Sequence, residues 1–436
     1  MNKRILSMLL SQGFGLAINV IEKLLIVPLF IHSWGLVKFG EWILIRTLPN
    51  LLLTTDVGIA SHAGNAISVA IIKKENNTAA HVIKLSLYLI FTLFSIIFVF
   101  GVSQFFFDLR SFLGINDSNL HLITYSVFFM SLHAGMILCS QILCSLGRAT
   151  ERYHIYNALA QFTRFLEIVF VCIVLITGGD IVEASIAYLL ARLIVITIMV
   201  SLLMKQLKFI KSEIASAKVT LSQFFSFIKQ SIPYAGIPFS QAVFLQGSSV
   251  IISSFYGPAV LAFVTVIRNT SRFMVMFSSL LGKSIWAELS RLWAEEKFKQ
   301  FNRVFLKFNF VNIFILSVAF LILIFGYGYF CQWFQLKDVA TRQDYILYLV
   351  VSLHSLLIAI SYYNSVSLLS TERHQKYAKI IMINSILTTA IFWLLSIYFD
   401  SLTWAYVLAF CISEFGIALW LLLISLNKNY LRERDN

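Results

Sequence analysis

Long runs of apolar, nearly uncharged residues return along the whole chain, and they constrain it more than any other feature. They fall at about 5–33, 38–71, 80–107, 118–147, 153–177, 181–204, 224–254, 258–288, 301–330, 343–370, 377–399 and 402–426. A helix needs roughly 20 such residues to cross about 30 Å of hydrocarbon. Only 13% of the 436 residues are charged, about half the share of a soluble domain. A soluble multidomain enzyme would have nothing from which to build its surface. The reading is an all-α integral membrane protein with twelve transmembrane spans. The start, Met1-Asn2-Lys3-Arg4, is followed by an apolar run too long for a signal peptide and without an Ala-x-Ala-like site, so a retained first span is expected.

Lysine and arginine set the expected orientation. One set of connections carries 24 of them, from Lys3 and Arg4 to Arg432 and Arg434, whereas the alternate set carries only Lys38, Arg110, Lys337 and Arg342. Both termini are therefore expected in the cytoplasm. The formal charge of +13 is mostly this bias, and nucleic-acid binding is not needed to explain it. The outer connections are short, the longest being about 331–342. Residues 205–223 read as a basic, amphipathic cytoplasmic connector. Residues 285–300, with Trp286, Leu289 and Trp293 on one side, read as a helix lying at the interface. The five cysteines form neither a disulfide framework nor a metal-ligand spacing. Gly282-Lys283-Ser284 ends like a phosphate loop, but Phe277 stands where its first glycine belongs.

The chain repeats itself. Ser131-Leu132-His133, Thr150-Glu151-Arg152 and Tyr156 return as Ser352-Leu353-His354, Thr371-Glu372-Arg373 and Tyr377, each 221 residues later. Gly35 and Arg46 return as Gly257 and Arg268, 222 residues later. The organisation expected is a six-helix lobe (1–204), the connector (205–223) and a second six-helix lobe (224–436). Six spans is an even number, so the lobes are parallel repeats. Transporters built that way hold substrate near the midplane between the repeats.

Charges inside the spans mark candidate sites, because each costs at least ~2.5–3.5 kcal/mol at the bilayer centre. The cations are Lys23, Arg46, Arg164, Arg192, Arg268 and Arg272; the acids include Glu22, Asp56, Glu167 and Glu414. Arg268 and Arg272 are four apart and share a helix face, and Arg46 is the repeat-mate of Arg268. Guanidinium forks match phosphate oxygens bidentately and stay charged. Arg46, Arg268 and Arg272, with Lys23, Arg164 and Arg192 around them, are thus the expected anion site. Arg164 and Glu167, three apart, are candidates for mutual neutralisation. Glu22, Asp56 and Glu167 are candidates for coupling to H⁺ or Na⁺, and no other cofactor is implied. His133 and His354 read as packing residues. All five prolines fall in spans 1, 2 and 7 or at the 7–8 junction. Kinks are expected near Pro28 and Pro233/Pro238, with spans 3–6 and 9–12 straighter.

The segment Trp34-Gly35-Leu36-Val37-Lys38-Phe39-Gly40-Glu41-Trp42, followed by Asp56-Val57-Gly58-Ile59, resembles the polysaccharide-transporter branch of the multidrug/oligosaccharidyl-lipid/polysaccharide exporter superfamily, in particular the O-antigen flippases. The resemblance implies a V-shaped, MATE-like exporter fold with spans 1, 2, 7 and 8 lining the cleft. It implies a bacterial inner-membrane flippase that moves an undecaprenyl-pyrophosphate-linked oligosaccharide from the cytoplasmic to the periplasmic leaflet. A polysaccharide polymerase and a chain-length regulator would be its partners beside the bilayer. Two other readings compete. A cation-coupled drug exporter of the same superfamily would be expected to place carboxylates at mid-depth, where this chain carries mainly arginine. A membrane enzyme would need a sizeable outer loop or a catalytic His/Asp cluster, and the sequence offers neither.

Overall fold

In hydrocarbon a backbone must satisfy its own hydrogen bonds, and a helix does so within one segment. The computed structural model describes residues 18, 20–53, 63–64, 66–67, 70, 73, 75–107, 120–149, 153–206, 211–336, 341–371 and 374–426; its secondary structure is helical, with no strand among the described residues. In chain order the helices are α1 (Val27–Leu53), α2 (Asn76–Ser103), α3 (Leu120–Ala149), α4 (Tyr153–Ile176), α5 (Ile181–Gln206), α6 (Lys211–Ser216), α7 (Leu221–Ala242), α8 (Ser248–Tyr256), α9 (Pro258–Ala294), α10 (Phe298–Phe325), α11 (Tyr327–Trp333), α12 (Arg342–Leu369), α13 (His374–Tyr398), α14 (Leu402–Tyr406) and α15 (Ile412–Leu426). Ten helices among the described residues are long and apolar enough to cross a membrane. The chain is a multi-pass membrane protein.

Ten and twelve differ for identifiable reasons. The first of the ten, Glu22–Leu51, takes in parts of spans 1 and 2. Its helix is broken at Gly35, whose φ of 74° and ψ of 172° no helix contains. The other missing run, 224–254, is helical as α7 and α8 but is not among the ten. Gly257, the repeat-mate of Gly35, also has a positive φ, 89°, a conformation that favours glycine. Pro258 follows it as the first residue of α9, where its missing N–H costs nothing. The two glycines thus make equivalent turns.

The chain packs as two compact units, Met1–Pro258 and Ala259–Asn436. The sequence repeat divides at the connector, whereas the contacts divide after Gly257-Pro258, because α8 and the turn before it pack on α1. Gly40 allows the closest of these approaches: a Cβ there would overlap the Pro258 carbonyl. The rest of the Trp34–Trp42 motif binds the α1 break to the turn before α5. Trp34 Nε1 donates to the Gly179 carbonyl at 3.0 Å, and Lys38 pairs with Asp180 at 2.7 Å. Phe30, Phe39 and Trp42 stack behind them.

A buried cluster from α2, α3, α4 and α5, including Ile83, Leu146, Tyr156 and Met199, forms a core of the first unit. The connector docks on it through Ile214 and Val219, and Lys84 donates to the Ala217 carbonyl. Residues 285–294 depart from the expectation of an interfacial helix. They are the end of the 37-residue α9, with Ile285, Leu289 and Leu292 buried against Phe301, Phe305 and Tyr363. Packing against α10 and α12 takes Leu289 and Leu292 out of the face that a membrane surface would otherwise receive, while Trp286 stays exposed.

The kinks only partly follow the prolines. A π turn at Glu22–Ile26 immediately precedes Val27-Pro28, where the ring would clash with the Leu24 carbonyl in a regular helix. Pro233 and Pro238 lie within α7, and the π turn Val243–Gly247 follows one turn later. A third π turn, Val407–Cys411, interrupts span 12 with no proline in it. Span 12, expected to be among the straighter ones, thus carries a π turn of its own.

Candidate functional site

In the first unit α1, α3, α4 and α5 bring charged and aromatic side chains together. Tyr188 and Arg192 are one turn apart on α5 and share its inner face. Glu167 Oε1 accepts from Arg192 Nη2 at 2.6 Å and from Nε at 2.9 Å. His133 Nε2 lies 2.8 Å from the same oxygen, and Arg192 Nη1 reaches Ser140 Oγ at 3.3 Å. Arg192 Nε is also 3.1 Å from His133 Nε2. An Nε2 without its proton would set a lone pair against the Glu167 oxygen, so the proton belongs on Nε2, which then accepts nothing from Arg192. His133 Nδ1 is then left buried with no hydrogen-bond partner among the described residues.

Tyr188 joins this network to Arg46. Its ring stands edge-on to His133, centroids 5.5 Å apart, and its hydroxyl accepts from Arg46 Nη1 at 3.3 Å. The guanidinium carbon of Arg46 lies 4.8 Å from the Tyr188 ring centroid and 5.6 Å from that of Trp42. Such cation–π contacts contribute about 0.5–2 kcal/mol. The Trp42 indole Nε1, one turn before Arg46, is a buried donor with no hydrogen-bond partner among the described residues.

The second unit repeats the arrangement. Arg268 Nε donates to the Tyr406 hydroxyl at 3.3 Å, and its guanidinium carbon lies 5.5 Å from that ring's centroid. The Tyr406 hydroxyl is 3.1 Å from His354 Nδ1. His354 stacks on Phe410, which packs on Phe392. Ser271 and Ser355 hydroxyls, 2.7 Å apart, tie α9 to α12, and Arg272 sits half-buried one turn after Arg268. Each unit thus holds an Arg–Tyr–His set: Arg46, Tyr188 and His133 in one, Arg268, Tyr406 and His354 in the other.

The residues expected to act together separate into groups. Glu167 pairs with Arg192 and His133 rather than with Arg164, whose side chain is exposed on α4. Arg192 is therefore committed to a carboxylate. Lys23 and Glu22 are half-buried in the π turn before Pro28. Asp56, with the rest of Asp56–Ile59, and the polar residues Thr150, Glu151, Arg152, Glu372 and Arg373 lie outside the described residues. No group of three or more His, Cys, Asp or Glu is placed to hold a metal among the described residues. Reasoning from sequence missed Tyr188 and Tyr406. They are repeat-mates 218 residues apart, and that pairing was the available signal.

No family model and no curated protein matches the chain. Solved structures do. A multidrug resistance MATE family transporter of the MOP superfamily, in its inward-facing conformation, superposes with a TM-score of 0.76 at 13% identity, over 97% of this chain and 99% of that one. The same kind of transporter in an outward-facing conformation gives 0.63 at 10% identity, over 99% and 97%. The lipid II flippase MurJ, inward closed, gives 0.67 at 15% identity, over 100% and 94%. At these identities the likeness is one of fold, and it extends over nearly the whole chain.

Proposed function

We propose that the chain is a flippase for an undecaprenyl-pyrophosphate-linked oligosaccharide, an O-antigen or related polysaccharide repeat unit. It moves this cargo from the cytoplasmic to the periplasmic leaflet of a bacterial inner membrane by alternating access. One observation carries the reading: Arg46 and Arg268 each bond a phenol, a group that restrains a guanidinium and does not itself cancel its charge. Arg272 adds a third guanidinium next to Arg268. These groups suit a pyrophosphate, to which arginine offers bidentate hydrogen bonds. The membrane potential supplies drive, since each negative charge moved outward gains roughly 2.3 kcal/mol per 100 mV.

Export of a small molecule coupled to H⁺ or Na⁺ is the second reading. It is favoured by the buried contact of two titratable groups, Glu167 and His133. One experiment separates the two. Purified protein in liposomes is given a fluorescent polyprenyl-pyrophosphate oligosaccharide, and its exposure to an impermeant quencher is followed with and without an imposed potential. The flippase reading expects protein-dependent exposure that the potential accelerates. Gradient-dependent efflux of a cationic dye, with no lipid movement, would favour the exporter instead.

A further inference from the structure

Lys283, in the Gly282-Lys283-Ser284 run that forms no phosphate loop, lies on the same helix as the arginines of the second unit. From residue 267 onward α9 has three unlike sides. Ile267, Ser271, Met274, Ser278, Ile285 and Leu289 are buried. Phe277 and Leu280 stand 51% and 49% exposed, an apolar side suited to lipid. The third side is polar. At 3.6 residues per turn, Arg268, Arg272, Ser279 and Lys283, at spacings of four, seven and four, fall in one row. Exposure rises along it: Arg268 is buried, Arg272 and Ser279 are half-buried, and Lys283 is exposed. The row has the length of one leaflet. Arg272 and Lys283 are separated by about 16 Å of helix, and half of a ~30 Å hydrocarbon core is about 15 Å. With Arg272 at mid-depth, Lys283 stands at headgroup level. Between them the Ser279 hydroxyl donates to the Tyr362 hydroxyl at 3.4 Å. The acids that follow in the chain are committed elsewhere, Glu288 to Arg291 and Glu295 to Lys297. No ion pair neutralises Arg272 or Lys283 among the described residues.

We infer that this row is a track for an anionic lipid headgroup, on which Lys283 is the receiving site and Arg272 the inner one. The inference rests on the flippase reading and gives its first step a residue. Lys283 takes the pyrophosphate at the membrane surface, before the arginine does. The two side chains suit those steps. An ammonium is a point charge on a flexible stem and attracts an anion from many directions, whereas a guanidinium fork holds it bidentately. The expected weakening for Lys283→Gln is about fivefold, the effect of one surface lysine on an anionic lipid. For Arg272→Gln, which removes charge-assisted hydrogen bonds, it is at least about tenfold.

The test is binding of polyprenyl pyrophosphate, with neutral polyprenol as the comparison ligand, to the full chain in nanodiscs at low and high salt. Lys307→Gln is the control, because Lys307 is exposed on α10 and lies off the row; it should leave the affinity unchanged. Lys283→Gln should weaken pyrophosphate binding, flatten its salt dependence and leave polyprenol binding and thermal stability as they are. Lys283→Arg should keep the wild-type affinity. If wild type does not prefer pyrophosphate to polyprenol, the flippase reading falls and the inference with it. If Arg272→Gln abolishes the preference while Lys283→Gln behaves like Lys307→Gln, the reading stands and the track is overturned. Inorganic pyrophosphate competing as well as the lipid would make a soluble anion the ligand, and would also overturn it.

Discussion

The two units hold the same Arg–Tyr–His set in different surroundings. In the first, the imidazole leads on to Glu167 and Arg192, a buried ion pair. In the second, the repeat-mates of those residues are Thr388 and Phe410. There Thr388 bonds Ser413 at 2.9 Å, and Phe410 stacks on the histidine. The second unit thus has aromatic packing against its histidine where the first has the ion pair, while its arginine still bonds the Tyr406 hydroxyl. The ion pair is an addition peculiar to the first unit and not a requirement of the arginine–tyrosine contact. This accords with the general finding that a buried ion pair and a well-packed apolar replacement are often close in stability.

The largest expected effect comes from breaking that pair. Glu167→Ala leaves the Arg192 guanidinium buried without its carboxylate and should cost about 3–5 kcal/mol, seen as a lowered melting temperature in detergent. Glu167→Thr with Arg192→Phe installs the second unit's solution in the first, and should recover much of that loss. Failure to recover would mean the units differ in more than this pair. Next is Gly40→Ala, which drives a methyl into the Pro258 carbonyl and should cost about 1–3 kcal/mol. At the repeat-mate, Ala262→Gly should cost only ~0.5–1 kcal/mol. Equal effects at 40 and 262 would show that the Gly40→Ala cost does not come from the close approach to Pro258. The smallest change is Lys38→Ala, which removes a partly exposed pair with Asp180 and should cost no more than ~1 kcal/mol, less at high salt.

Most of the architecture was legible in hydropathy, because a lipid-spanning backbone has few choices. The repeat was legible as well: Gly35 and Gly257, matched only by spacing, prove to be equivalent positive-φ turns. The Glu167 partnership was not. Arg164 is near in sequence, but α4 carries it to the exposed side, while Arg192 arrives from another helix. Side-chain direction and helix packing decide that choice, and neither is written in spacing along one helix. Tyr188 and Tyr406 escaped because the turn between Tyr398 and Leu402 and its neighbouring helix ends are shorter than their counterparts before Ile181. That shift moves the offset from 221 to 218. The π turn in span 12 leaves no mark in hydropathy, since it alters hydrogen bonding and not composition.

The central proposal is that arginines, Arg46 in one unit and Arg268 and Arg272 in the other, serve recognition of the pyrophosphate. Its most direct test is complementation of cells that lack their flippase, scored by surface polysaccharide at matched membrane protein level. Alanine at Arg46, Arg268 or Arg272 should abolish export while the protein stays in the membrane. Lysine at position 268 or 272 should restore it only in part, because an ammonium keeps the charge and loses the fork. Full-length polysaccharide from the alanine variants would contradict the assignment and make these arginines structural.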